Sequence, residues 1–243
     1  MPAAARLSRA ALVLSCEHAS NRVPAAYAAR FRGGERLLAS HRAYDAGALP
    51  VAQLCARKLR APLFAGDVTR LVVDLNRPEG HPALFSHFIA GLDAADREKL
   101  LERFHRRHWT AVRSAVEARL GLGSPVLHLS LHSFTPVLRG ERRRADVGFL
   151  FDPRRRLEKE LCDAWRETLR RALRARGVEL TLMHNSPYSG AGAGLTTSLR
   201  ALLPEKRYAG IEIELNQRLW RRGGATWEAL SAALLESLAG LVP

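Results

Sequence analysis

The feature that most constrains this chain is a repeating alternation of short apolar runs with amphipathic helical stretches. ALVLS (11–15), APLFAG (61–66), RLVVDL (70–75), PVLHLSL (125–131), VGFLF (147–151), VELTLM (178–183) and YAGIEIEL (208–215) are each bounded by turn-forming residues. Their length and their Val, Ile and Leu content predict strands buried on both faces. Between them, residues 93–120 place Leu100, Leu101, Phe104, Val112, Val116 and Leu120 near one stripe, with Asp93 as N-cap and Gly121 as stop. Residues 154–176 repeat the pattern, and further helices are expected over about 43–60 and 225–241. This alternation predicts one α/β domain over residues 1–243, a three-layer α/β/α arrangement around a mostly parallel mixed sheet.

No apolar run approaches the roughly 18–20 residues that cross a bilayer, and ALVL near the start is too short for a signal core. The expectation is a cytoplasmic protein with no membrane partner. Cys16, Cys55 and Cys162 are too far apart for a metal knuckle, and their odd number does not suit a disulfide framework. The net charge of +14 raises the question of nucleic acid. Only four of the 38 basic residues are lysines, the arginines are dispersed apart from RGERRRAD (139–146), and no RNA- or DNA-binding signature accompanies them. The charge therefore reads as solvated surface that favours an anionic small molecule over a nucleic-acid partner.

In such sheets ligands bind beyond the carboxyl ends of the strands. The polar residues of interest fall there: Glu17 and His18 after the first run, Asp74, Asn76 and Arg77 near the third, His132 and Ser133 after the fourth, and Glu212 and Glu214 in the last. Two histidines and a carboxylate are the common three-ligand set of a catalytic zinc site. His128 and His132 share a strand face, but four residues of strand separate them by about 13 Å. They therefore cannot hold one metal together. His105 and His108, at i, i+3 spacing on a basic face, read as surface or packing residues.

DLNRP (74–78) followed by LHSF (131–134) resembles motifs of the zinc carboxypeptidase and aspartoacylase superfamily. A closer resemblance is to the N-formylglutamate amidohydrolase family, whose blocks are matched in order by CEHASNRVP (16–24), HRAYDAGA (41–48), TRLVVDLNRP (69–78), LHSFTP (131–136), NSPYSG (185–190) and GIEIELNQRL (210–219). The resemblance implies a zinc carboxypeptidase-like fold and a Zn2+ site held by His18 and His132, with His128 left as a hydrogen-bonded core residue. No acid stands three residues after His18, so Asp45 is taken as third ligand, with an N-cap role as its alternative and Glu17 as fallback ligand. The resemblance further implies Glu214 as general base, with Glu212 supporting it. Arg77 is expected to grip a substrate carboxylate beside Asn76, and Ser133, Asn185 and Tyr188 to line the site. Arg70 is expected to pair with Asp74, and His41 to orient Asp45. NSPYSG and the following GAGAG suggest a mobile flap. The implied activity is hydrolysis of an N-formyl- or N-acyl-amino acid. The alternatives are a zinc peptidase or amidase acting on a peptide or cell-wall fragment, or a non-catalytic basic protein on the same scaffold that binds nucleic acid or another anion.

Overall fold

A computed structural model describes residues 10–242, so the extreme ends of the domain expected over 1–243 lie outside the described residues. Six strands form one sheet: β1 (Ala11–Cys16), β2 (Leu63–Ala65), β3 (Val126–Phe134), β6 (Val147–Leu150), β7 (Leu182–His184) and β8 (Tyr208–Asn216), in the order β2-β1-β3-β8-β6-β7. All neighbours are parallel except β6 and β8. A separate two-stranded hairpin, β4 (Val137–Leu138) with β5 (Glu141–Arg142), forms in the arginine-rich segment. The helices are α1 (Glu35–Leu38), α2 (Ala48–Leu59), α3 (Ala94–Leu100), α4 (Arg107–Gly121), α5 (Arg156–Arg174), α6 (Leu195–Leu202), α7 (Gln217–Arg222) and α8 (Gly224–Ala239). None among the described residues is long and apolar enough to cross a membrane.

The two faces of the sheet differ sharply. Leu12, Leu14 and Cys16 of β1, Leu127, Leu129 and Leu131 of β3, and Ile211, Ile213 and Leu215 of β8 point to one face. There they pack against Val51 and Cys55 of α2, Trp165 and Leu169 of α5, and Leu230 and Leu234 of α8. The alternate positions form the other face: Val13, Val126 and Tyr208 meet Val112 and Val116 of α4 and Leu195 and Leu199 of α6. Because the side-chain period of a strand is two, the second face also carries Ser15, His128, Ser130, His132, Glu212 and Glu214. The sheet is covered on both sides, yet one side is a buried polar ladder.

Three expectations change. Residues 70–75 form no strand; they make turns, with Val72 N–H bonded to Thr69 O and Asp74 N–H to Leu84 O. The apolar residues of this segment instead build a satellite core with Phe31, Leu84, Ile89 and Phe104. Short apolar runs do not distinguish a strand from a buried loop, because both bury the same side chains. The strand expected over 178–183 is confined to Leu182–His184. The long helix over 93–120 is interrupted by a π-helical turn at Leu101–Arg106, between α3 and α4. That wider turn resets the helix face. His105 and His108, read as surface or packing residues, are both buried and so take the packing role.

Candidate active site

At the carboxyl end of β1 the chain leaves the sheet at Glu17 and His18; at the end of β3 stands His132. Asp45 lies on the loop before α2. Its backbone N–H is bonded to His18 O, so that loop is tied to the end of β1. Gly47 is the N-cap of α2, not Asp45, and the Asp45 side chain turns inward. There Oδ2 lies 3.3 Å from His18 Nδ1 and 2.9 Å from His132 Nδ1. One donor atom from each of His18, Asp45 and His132 lies within 4.8 Å of the other two, and all three residues are buried.

The second nitrogen of each imidazole faces another carboxylate. His18 Nε2 is 2.7 Å from Asp74 Oδ1, and His132 Nε2 is 3.1 Å from Glu17 Oε2 and 2.8 Å from Ser130 Oγ. If these nitrogens donate outward, both Nδ1 atoms turn lone pairs toward the same Asp45 oxygen. Such an arrangement of acceptors suits a cation at its centre, and two imidazoles with one carboxylate are donors that zinc accepts. Carboxylate–histidine pairs of this kind orient metal ligands. Arg70 closes the ring of charges, with Nη1 donating to Asp45 Oδ1 at 3.2 Å and Nε 3.5 Å from Asp74 Oδ2.

The electrostatics follow from burial opposed by pairing. Burial pushes the Asp45 carboxyl up, but the charges of His18 and Arg70 and the imidazole hydrogen bonds hold it below the usual range. Asp74 behaves likewise, against His18 and Arg70. Burial would lower His132, yet hydrogen bonds to Asp45 and Glu17 raise it well above an ordinary histidine. Glu214 goes the other way. Buried, and close to the negative charges of Asp45 and Glu212, its carboxyl is raised to about 8. Its Oε2 is buried without a hydrogen-bond partner. Glu212 instead accepts a hydrogen bond from Thr196 Oγ1 of α6 at 2.7 Å.

A cavity of about 350 Å³ opens over these groups, lined by His18, Asp45, His132, Glu212 and Glu214 at its floor and by Arg70, Asn76, Arg77, Ser133 and Tyr188 around them. Arg77 Nη1 donates to Ala193 O at 2.8 Å, which ties the arginine to the glycine-rich loop. No Arg77–Asp74 ion pair forms among the described residues. Asn76 is anchored by Leu195 N–H donating to its Oδ1 (2.9 Å), and its amide nitrogen lies 3.3 Å from His132 Nε2. The Ser133 hydroxyl is committed to Ala46 O and Gln217 Nε2, at 2.8 and 3.1 Å. Tyr188 stands half-exposed, with Arg143 stacked 4.7 Å from its ring and donating to its hydroxyl.

Two residues fall elsewhere. Asn185 does not line the cavity: its Oδ1 accepts from Phe151 N–H and Gly190 N–H, folding the 185–190 loop on itself. His41 is exposed, and no hydrogen bond or ion pair joins it to Asp45 among the described residues. Arg70 takes that role. The expected flap is also stitched to its surroundings. Gly148 lies so near this loop that a Cβ would meet Ser186 O at 2.0 Å, and Arg200 of α6 donates to Gly190 O. Sequence reading missed Ser130, although it shares the face of His132 two residues on, and Arg143, hidden in a run of arginines. His128 is a core residue as expected, bonded to Ser15 Oγ (2.8 Å) and Tyr208 OH (2.9 Å).

Comparison with known proteins agrees with this architecture. The gene product Atu2144 from Agrobacterium tumefaciens superposes with a TM-score of 0.72 at 28% identity, covering 98% of this chain and 93% of that one. The N-formylglutamate amidohydrolase from Ralstonia eutropha JMP134 gives a TM-score of 0.68 at 22% identity, covering 95% and 92%. No curated protein matches the sequence. The family model of N-formylglutamate amidohydrolase matches residues 10–221 and thus takes in every residue of the cavity. With most of its length matched, the chain belongs to the N-formylglutamate amidohydrolase family.

Proposed function

We propose that this chain is a zinc-dependent amidohydrolase that cleaves N-formylglutamate or a closely similar N-acyl-amino acid. The observation that carries the reading is the meeting of two imidazole Nδ1 atoms on one Asp45 oxygen, with the unpartnered carboxylate of Glu214 in the same cavity. His18, Asp45 and His132 would hold the metal. Zinc bound there supplies Lewis-acid polarisation of an amide carbonyl and brings the pKa of water down toward about 7.

The chain's own groups do the rest. Glu214 Oε2 has no competing partner, and a carboxyl held near 8 both accepts and releases a proton at neutral pH. It takes the proton of the attacking water and returns it to the nitrogen of the leaving amine, so that amide and water become acid and amine. Arg77, held at one nitrogen by Ala193 O, keeps its other N–H groups for a substrate carboxylate. Arg70 keeps Asp45 and Asp74 charged and in place.

The test is release of formate from N-formyl-L-glutamate by zinc-loaded protein, beside N-acetyl-L-glutamate, N-formyl-L-methionine and a muramoyl peptide. Formate release with preference for the acidic substrate supports the reading. Turnover of the muramoyl peptide alone transfers the site to cell-wall amidase chemistry. Stoichiometric zinc with no turnover of any of them overturns the hydrolase assignment.

A further inference from the structure

Glu17 follows β1 directly, next to a metal-binding candidate, and is completely buried. Its position excludes it from the donor cluster. It faces His132 from the Nε2 side, whereas Asp45 meets the same ring at Nδ1. Ser130 Oγ donates to Glu17 Oε2 at 2.5 Å, which leaves that hydroxyl free to accept from His132 Nε2. The other carboxylate oxygen, Oε1, lies 3.6 Å from His108 Nε2 of α4, and neither atom has a hydrogen-bond partner. His108 is there because of the π turn at Leu101–Arg106. Just after that turn α4 presents His108 to the sheet, and within it His105 reaches Arg77 O at 2.7 Å. An inserted helical residue that aims two histidines at the backs of site residues is an expensive local feature to keep without a use.

We propose that Glu17 is a positioning residue, and that the Glu17–His108 pair fixes which nitrogen of His132 faces the metal. This rests on the zinc reading above. A carboxylate at Nε2 holds the proton on that atom, so the Nδ1 lone pair points to Asp45 and His18. Without it the ring can protonate Nδ1, donating to Asp45 and leaving Nε2 to accept from Asn76. Glu17 thus does for His132 what Asp74 does for His18. His108 Nε2, 3.6 Å from Oε1, is the polar group that stands beside the second oxygen of this buried carboxylate.

The experiment measures zinc affinity by competition with a chelating dye for wild type, Glu17→Gln, His108→Phe and His132→Ala. Alongside, long-range 1H–15N NMR of imidazole-labelled zinc-loaded wild type reads the His132 tautomer. Glu17→Gln is expected to bind one zinc at saturation with affinity about 10–100-fold lower. His108→Phe should shift affinity the same way by a smaller factor, and the wild-type spectrum should show the His132 proton on Nε2. Glu17→Gln affinity within twofold of wild type overturns the proposal. So does loss of zinc even at saturation, as in His132→Ala, which makes Glu17 a ligand. A proton on Nδ1 in the zinc-loaded wild type overturns it without any variant that must fold. An unchanged His108→Phe removes His108 from the pair. Failure of wild type to bind zinc at all, in contrast, brings down the zinc reading itself.

Discussion

His132 and Glu214 stand directly opposite each other on the neighbouring parallel strands β3 and β8, in the register that pairs Ser130 with Glu212 and His128 with Gly210. The candidate ligand and the candidate base are thus set by one strand pairing, on the same face of the sheet. Rigid elements hold a constellation more tightly than loops do. Glu214→Gln should therefore keep the site's shape while losing the proton acceptor. Its kcat should fall by about 10²–10⁴-fold. Elemental analysis should find its zinc content unchanged, and a loss of metal instead would move Glu214 into the ligand set.

Asp45 is the one carboxylate that both imidazoles meet. Asp45→Asn and His132→Ala are each expected to abolish stoichiometric zinc, and a chelator should lower the thermal midpoint of wild type but of neither variant. Ligand present at about 100 times its Kd stabilises a fold by roughly 2.7 kcal/mol, so the shift should be readily seen by differential scanning calorimetry.

His128 makes a pH prediction that needs no metal. It is buried and neutral, hydrogen-bonded to Ser15 and Tyr208, and burial lowers it to about 4. An unfolded histidine titrates near 6.5, so between about pH 6.5 and 4 the unfolded chain binds a proton that the folded chain does not. Stability is whole above about 6.5 and declines as pH falls through this window, by about 3 kcal/mol in all. Urea midpoints measured from pH 7 to 4 should show that decline, with a shallower slope for His128→Gln. Parallel slopes for the two proteins would count against it.

Glu158 and Arg200 form a buried ion pair 2.9 Å long beneath the glycine-rich loop, and Glu158 also accepts from Gly210 N–H near the start of β8. Removing Arg200 leaves the buried Glu158 carboxylate with only the longer ion pair to Arg155 Nε, at 3.4 Å, among the described residues. Arg200→Met should cost about 3–5 kcal/mol of unfolding free energy, whereas Arg200→Met with Glu158→Leu should cost clearly less. Chemical denaturation of the two variants compares them directly.

Gly148 of β6 pairs with Glu214 of β8 and leaves just enough room for the 185–190 loop. In Gly148→Ala the new methyl must push Ser186 away, because its Cβ would stand 2.0 Å from a backbone oxygen. KM for the acidic substrate should rise and the thermal midpoint fall, while zinc content stays at wild-type level. Unchanged kinetics would show that this wall does not touch the substrate.

The sequence by itself determined the alternation of strand and helix and the end of the sheet at which chemistry collects. Both are local: an apolar run with period two, or a stripe with period 3.6, is written in neighbouring residues. It also determined that His128 and His132 cannot share a metal, since strand rise alone separates them. Only the tertiary structure decided the rest. Whether 70–75 pairs as a strand depends on an available sheet edge, and the segment packs instead against Phe31 and Ile89. Asp45 over Glu17 as the partner of both Nδ1 atoms depends on a loop docked by its backbone to the end of β1, 27 residues away. His105 and His108 are turned inward by one π turn that shifts a helix face, and no periodicity in FHRRHW announces it. Contacts between distant segments are set by how whole elements pack, and local patterning carries no record of that choice.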